Sequence, residues 1–168
     1  MAELLMEVIY MIKEKKINEN YTFVRFLKGH ADEKKLDNQF KTLHNKYFKD
    51  FDCSKCLKCC KELKVSFSQE EIEKSAKTLN QSVNDFIQKY LEFDTLEQKY
   101  YTKVTPCPFL KDEKCQLSKC KPKECIEYPY TNKPNRIHHL YSIVNNAEIC
   151  PVVAKILEEL KEIYNFKR

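Results

Sequence analysis

Four cysteines lie within eight residues of one another, in the segment Cys53-Ser-Lys-Cys56-Leu-Lys-Cys59-Cys60. Two residues between cysteines let the chain turn so that both sulfurs reach one ion, and this spacing occurs in zinc knuckles and in iron–sulfur proteins. Lysines alternate with these cysteines and could offset the negative charge of a thiolate centre. The segment therefore predicts a metal site built from thiolates.

A second set of cysteines follows, and prolines bracket most of its members. Its members are Cys107, Cys115, Cys120, Cys125 and Cys150. Proline restricts the backbone, so these loops would be stiff and would lose little entropy when they deliver ligands to a common centre. The nine cysteines are odd in number and clustered, which metal binding explains better than disulfide bonds do.

The elements that must position these cysteines are mostly helical. Capping-box patterns at Ser68–Glu71 and Ser82–Asp85 predict a helical hairpin over about 68–92. Apolar residues at helical spacing predict three more helices. Their stripes are Leu4, Leu5, Val8, Ile9 and Ile12, then Leu36, Phe40, Leu43, Tyr47 and Phe48 after Asp32, and finally Val152, Val153, Ile156, Leu157, Leu160 and Ile163.

Two stretches, Lys99–Thr105 and Arg136–Val144, favour β-structure because they are rich in β-branched and aromatic residues. We therefore expect a mainly α fold with a small β element, a compact helical domain clipped by a cysteine-rich metal centre. The chain length suits one domain over 1–168. Its cysteine-cluster core is expected at about 53–151, with flanking helices at 2–50 and 152–164.

Composition narrows the classes of function. The single glycine, Gly29, excludes the glycine-rich loops that bind phosphate groups. A net charge of +5, from 30 basic and 25 acidic residues, is too mild to favour a nucleic-acid partner. The first residues lack the basic region of a secretory signal, and no run reaches the ~20 apolar residues of a membrane span. We expect a cytoplasmic protein with reduced thiols, a metal ion as partner and no membrane contact.

The combined pattern resembles the YkgJ-like cysteine-cluster family, whose members are described as zinc- or iron-chelating proteins. The resemblance lies in C-x2-C-x2-C-C, then C-P-F-L, then Lys121-Pro122-x-x-Cys125-x-x-Tyr128-Pro129. A related cysteine arrangement occurs in flagellin lysine methylases. The resemblance implies eight metal ligands, which are Cys53, Cys56, Cys59, Cys60, Cys107, Cys115, Cys125 and Cys150.

The chain differs from the usual family sequence at three positions, and one of its cysteines has no counterpart in the family pattern. Family members usually have arginine at the positions of Lys121 and Ile126 and phenylalanine at that of Tyr128. Lysine keeps the charge of arginine but not its forked hydrogen bonding, which puts an anion-binding role in doubt. Cys120 has no regular counterpart, and we expect it to lie outside the ligand set.

The identity of the metal stays open between zinc and iron, including an iron–sulfur cluster. Adjacent Cys59 and Cys60 point in different directions in most backbone conformations, which favours two sites or a bridging thiolate. His138 and His139 lie on the second β-like stretch, so one should face inward and one outward, and packing or solvation is expected for both. We favour a metal that is mainly structural over electron transfer, redox sensing or a methyltransferase-related enzyme.

Overall fold

Helices make up most of this computed structural model, which describes residues 2–167 except the side chains of residues 2–10 and 12. The fold is mainly α with small β elements, as the sequence predicts. In chain order the helices are α1 (Ala2–His30), α2 (Glu33–Phe48), α3 (Cys53–Cys56), α4 (Lys58–Glu62), α5 (Gln69–Thr78), α6 (Val83–Tyr90), α7 (Lys123–Glu127), α8 (Leu140–Ile149) and α9 (Pro151–Ile163). The strands are β1 (Ser66–Phe67), β2 (Leu91–Asp94), β3 (Lys99–Thr102), β4 (Leu110–Lys111) and β5 (Lys114–Cys115).

The chain forms two compact units. The helical unit combines residues 1–51 with 129–168, and the cysteine unit comprises residues 52–128. The expectation of one domain over 1–168 stays a prediction. Within the described residues, no helix is both long and apolar enough to cross a membrane.

In the helical unit, α2 packs against α9 and α1 packs against α8. Asp32 begins α2, because its Oδ1 accepts the Lys35 N–H at 2.8 Å. Leu36, Phe40 and Leu43 of α2 are buried, which confirms the predicted stripe. The stripe predicted for the start of α1, from Leu4 to Ile12, lies outside the side chains that the structure describes.

The last helix is confirmed, with one difference on its apolar face. Most of the predicted stripe of α9 is buried, as shown by Val152, Val153, Ile156, Leu157 and Leu160. Ile163, predicted on the same face, is 46% exposed because α9 ends there and the chain turns away after it.

The β-structure predicted for Arg136–Val144 was wrong. These residues form a 3-10 helix, Arg136–His139, and the first half of α8. The buried residues Leu140, Ile143 and Val144 are spaced three and four apart, which is the spacing of a helix face. The sequence therefore contained a helical pattern as well as residues that favour strands. Packing of the buried residues against neighbouring helices outweighs a weak local preference for strand.

The cysteine unit has a small apolar core covered by helices and a sheet. Strands β1, β3 and β2 form an antiparallel sheet in that order, with Phe67 opposite Tyr100 and Leu91 opposite Thr102. The predicted hairpin is present as α5 and α6, and the predicted strand as β3. The buried core consists of Val65, Phe67, Ile72, Ala76, Phe86, Leu91, Phe109 and Leu117.

Candidate metal centre

The first two cysteines lie at the two ends of α3, a helix of a single turn. Asp52 caps this helix, and its Oδ1 accepts the Ser54 N–H at 2.9 Å. Residues three apart on a helix share a face, so Cys53 and Cys56 project on the same side. Cys53 is exposed and Cys56 is half-buried.

Leu57 turns the chain from α3 into α4. Its φ is 54°, in the left-handed region, and its N–H closes α3 on the Cys53 carbonyl oxygen. A left-handed conformation costs a non-glycine residue about 1–2 kcal/mol, which the burial of the leucine side chain offsets. The reversal lets α4 start at once, so that Cys59 and Cys60 follow Cys56 without a connecting loop.

The segment around Cys107 approaches α4 through the backbone. The Cys107 N–H donates to the Cys60 carbonyl oxygen at 2.7 Å, and the peptide bond before Pro106 is cis. The Leu110 N–H donates to the Cys107 carbonyl oxygen at 3.0 Å, and the nearby N–H groups of Phe109 and Leu110 oppose the rise in the pKa of the Cys107 thiol. Backbone N–H groups directed at sulfur stabilise the thiolate, which is the form that binds metals.

Strands β4 and β5 form a short hairpin that carries Cys115. Leu110 pairs with Cys115, and the nearby Leu117 N–H opposes the rise in the pKa of the Cys115 thiol. Asp112 and Glu113 connect the strands with φ values of 46° and 57°. Two successive positive φ values in a two-residue connection are typical of a type I′ turn, where Asn-Gly is the favoured sequence.

Cys125 lies on α7, and two carboxylates hold that helix to the rest of the cysteine unit. Pro122 precedes α7 and supplies no side-chain cap. Instead, the Lys123 N–H donates to Glu71 Oε1 at 2.6 Å. Glu124 Oε2 accepts the Ser66 N–H of β1 at 2.5 Å. Glu71 and Glu124 therefore fix the position of the helix that bears Cys125.

Cys120 interacts electrostatically with Cys115, and five predicted ligands of the cysteine unit interact electrostatically with one another. They are Cys59, Cys60, Cys107, Cys115 and Cys125. Burial raises the pKa of Cys107 and Cys115, and N–H groups oppose it. Part of Cys125 reaches solvent, yet surrounding protein desolvates its sulfur, and with the neighbouring thiols this raises the pKa of Cys125 to about 12.

The adjacent pair Cys59 and Cys60 differ in acidity. The Cys59 thiol donates a hydrogen bond to the Cys60 sulfur, which raises the pKa of Cys59. The same bond, together with the charge of Lys121 and against the effect of burial, lowers the pKa of Cys60 to about 6. Lys121 also opposes the rise that burial causes in the pKa of Cys115. A lysine at this position thus favours thiolates, although it lacks the fork of the family's usual arginine.

All nine cysteines are free thiols, as metal ligands must be. Within the part of the chain that the structure describes, no three His, Cys, Asp or Glu side chains are arranged so that they could hold an ion. The donor chemistry nevertheless fits zinc or iron, because neighbouring thiols receive backbone N–H groups and a lysine charge. The set of eight ligands stays a prediction.

Cys150, His138 and His139, whose side chains can also bind metals, belong to the helical unit. Cys150 belongs to the helical unit, where it is buried and precedes Pro151 at the start of α9. His138 and His139 are both exposed on the 3-10 helix, so the prediction that one faces inward was wrong. A strand would have alternated their sides, whereas the helical turn presents both to solvent. His138 Nε2 lies 3.5 Å from Glu33 Oε1.

The leftover cysteine, Cys120, is half-buried against the core of the cysteine unit. Its sulfur lies 3.2 Å from Thr78 Oγ1, within hydrogen-bond distance for sulfur. Its place outside the ligand set stays a prediction. Sequence reasoning missed the supporting role of Glu71, because its contact with Lys123 spans 52 residues and leaves no local signal.

Comparison with known proteins agrees with this chemistry. Residues 52–151, more than half of the chain, match the CxxCxxCC family model, described as "Putative zinc- or iron-chelating domain". No curated protein and no solved structure matches the chain. The match begins at the cap of α3 and ends one residue after Cys150. The chain therefore belongs to the CxxCxxCC family of zinc- or iron-chelating domains.

Proposed function

We propose that this protein binds zinc through its cysteine thiolates and that the metal mainly stabilises the fold around it. The observation that carries the proposal is that five free thiols, all predicted ligands and borne by separate segments of the cysteine unit, lie near enough to affect one another's pKa. Cys59 and Cys60 lie on α4, and Cys125 lies on α7. Cys107 precedes the β4–β5 hairpin, and Cys115 is part of β5. These segments are short and have few backbone hydrogen bonds of their own, so a shared ion would hold them together.

The energetics of the unit support a structural metal. Its buried core is small, since eight residues form it. Small domains with limited apolar cores commonly depend on a structural metal or on disulfides, and the cysteines here are free. Bound thiolates would replace mutual repulsion between the sulfurs with attraction to a common cation.

The chemistry of the site favours a structural metal ion with four protein ligands over a catalytic ion with an open coordination position. A zinc ion surrounded by four thiolates has no open position for substrate, and its contribution is to folding. Eight predicted thiolates correspond to about two such ions. Flagellin methylase activity is supported by the resemblance of the cysteine pattern alone, so we do not favour it.

An iron–sulfur cluster is the second candidate, because the spacing Cys53-x2-Cys56-x2-Cys59 also occurs in bacterial ferredoxins. The exposed residue Cys53 would place one side of such a cluster near solvent, where it could exchange electrons. The zinc and iron proposals share the same ligands and differ in what the centre does.

Anaerobic purification without added metal distinguishes these proposals. We expect a colourless protein that contains zinc by elemental analysis, at about two ions per chain. A brown protein with iron and sulfide, whose visible absorption is bleached by dithionite, would favour the iron–sulfur cluster. Protein that contains neither metal and takes up neither on reconstitution would contradict both proposals.

A further inference from the structure

Residues 120–127, which comprise α7 and the three residues before it, form a strap across α5. At the start of the strap, Cys120 packs against the apolar core, and its sulfur lies 3.2 Å from Thr78 Oγ1 at the end of α5. Further along, the Lys123 N–H donates to Glu71 Oε1 at 2.6 Å in the first turn of α5. The strap therefore runs antiparallel to α5, along the face that Glu71 and Thr78 share.

Beyond its start, the strap is anchored by hydrogen bonds more than by apolar burial. Pro122 is the one buried residue within 120–127, and Cys125 is exposed. In addition to the bond with α5, Glu124 Oε2 accepts the Ser66 N–H of β1 at 2.5 Å. Segments with few buried side chains and exposed hydrogen bonds open locally at a lower free-energy cost than the core does.

A buried hydroxyl on α5 favours the opening of the strap. Ser75 lies four residues after Glu71 and three before Thr78, so the segment that covers those two positions also covers Ser75. It is fully buried, and its Oγ has no hydrogen-bond partner among the residues that the structure describes. A buried hydroxyl without a partner is costly, and water reaches it when the strap lifts.

We propose that the strap is a gate whose local opening lets the metal ion enter and leave the cysteine unit. This inference rests on the proposed metal-binding function, because Cys125 on the strap is a predicted ligand. When the strap lifts, the bond between the ion and the Cys125 sulfur breaks, and the thiolate keeps its electron pair. A donor atom of water or of an incoming chelator then forms the new bond.

The other predicted ligands of the unit include two that stay in place during this opening. Cys107 and Cys115 pack against the apolar core, so they keep their positions while the strap moves. The ion is therefore exchanged one ligand at a time, and the cysteine unit does not have to unfold first. The rival route is release by global unfolding, in which every ligand is lost together.

Zinc release from the loaded full chain to an excess of a colorimetric chelator tests the gate. Glu71→Gln removes an acceptor oxygen that the strap or the cap of α5 needs, and it should speed release about fivefold. Ser75→Ala removes the unpartnered hydroxyl, stabilises the closed strap and should slow release about threefold. Release from Ser75→Ala that is as fast as from wild type, or faster, would overturn the proposal.

Phe86→Leu is the matched control for global stability. Phe86 is fully buried in the core on α6, a helix without predicted ligands. The substitution should lower the midpoint of urea unfolding but change the rate of zinc release by less than about twofold. An acceleration as large as that of Glu71→Gln would show that release follows global unfolding, and the gate would be refuted.

Hydrogen exchange of the zinc-loaded wild type measures the opening directly and requires no variant. The Lys123 and Ile126 amides of the strap should exchange at rates that low urea concentrations hardly change. The Thr102 amide, which donates to the Val65 carbonyl oxygen beside the core, should exchange at a rate that rises with urea. Equal urea dependence at both places would contradict the gate. Wild-type protein that binds zinc but fails these tests refutes the gate only, whereas wild-type protein that takes up no zinc refutes the proposed function itself.

Discussion

The Lys123 backbone N–H donates to Glu71 Oε1 at 2.6 Å, across 52 residues of chain. The other oxygen of the same carboxylate, Oε2, accepts the Ser68 N–H at 2.8 Å. One side chain therefore completes the capping box of α5 and caps the first turn of α7. Since α7 carries Cys125, a carboxylate far away in sequence positions a predicted metal ligand.

Replacing Glu71 by glutamine should destabilise the cysteine unit. Glutamine offers one acceptor oxygen where glutamate offers two, so one of the two N–H groups loses its partner. We expect the free energy of unfolding in urea to fall by about 1–2 kcal/mol at neutral pH. Glu73→Gln on the same helix is the matched control, because Glu73 is exposed and, among the residues that the structure describes, accepts a hydrogen bond from Gln69 alone. Equal effects of the two variants would contradict the double-capping role.

The advantage of Glu71 over glutamine should disappear in acid. Burial opposes the shift, but hydrogen bonds from Lys123 and Ser68 outweigh it and lower the pKa of Glu71. A lowered pKa means that the stabilisation is complete above the unfolded value of about 4.3 and is lost as pH falls through the lower folded value. Urea titrations of both proteins across this range measure the difference. A gap that stays constant down to full protonation would show that the charge is irrelevant.

Single serine substitutions in the first cluster should remove metal and unfold the cysteine unit. We expect Cys56→Ser and Cys59→Ser to lose metal by elemental analysis and to lower the melting temperature, because metal binding and folding are coupled. Cys120→Ser should keep its metal, since Cys120 contacts Thr78 and the apolar core. Unchanged metal content and melting temperature in both cluster variants would contradict the proposed centre.

At Leu57, glycine should be more stable than alanine, the reverse of the usual order in helices. Both variants lose the buried leucine, but only alanine retains the cost of a positive φ. We expect the glycine variant to be more stable by about 1 kcal/mol in urea denaturation. Gly29 is the control, because it lies in α1 without a positive φ and an added Cβ meets nothing within 4 Å. There alanine should be the more stable residue by about 0.5–1 kcal/mol.

Lys161 should be important for the stability of the helical unit. It is 4% exposed, and its Nζ donates to Glu19 and Asn20 at 2.6 Å each and to Glu158 at 2.8 Å. Lys161→Met keeps the length of the side chain but leaves carboxylates without this cation. We expect a loss of about 2–3 kcal/mol by chemical denaturation, because removing one partner leaves partly buried charge. The exposed Lys155→Met on the same helix should cost much less. Similar losses in the two variants would show that the buried contacts of Lys161 with Glu19, Asn20 and Glu158 do not stabilise the unit.

The sequence predicts those elements whose boundaries are set locally. Ser68 and Ser82 mark the starts of α5 and α6, because their hydroxyls accept N–H groups three residues later. The apolar stripe of α2 was equally readable from spacing. The β-branched and aromatic composition of Arg136–Val144 led to a wrong prediction of β-structure. The stretch is helical, because Leu140, Ile143 and Val144 are buried against other helices.

The candidate site could be foreseen in its chemistry but not in its geometry. Spacing and family resemblance select the cysteines, whereas the supports of those cysteines are long-range. The contact of Cys107 with the Cys60 carbonyl and that of Lys123 with Glu71 depend on tertiary folding. No local pattern encodes such contacts, since each partner is an ordinary backbone group or a surface carboxylate until the chain folds.

On the proposed metal-binding function, the turn at Asp112–Glu113 influences how tightly the ion is held, because its hairpin carries the predicted ligand Cys115. Two non-glycine residues with positive φ make the hairpin costly to form, and that cost is subtracted from the free energy of metal binding. Exchanging the pair for Asn-Gly would lower the cost while leaving every sulfur in place. The proposed ion would then be held more tightly, although no predicted ligand had changed.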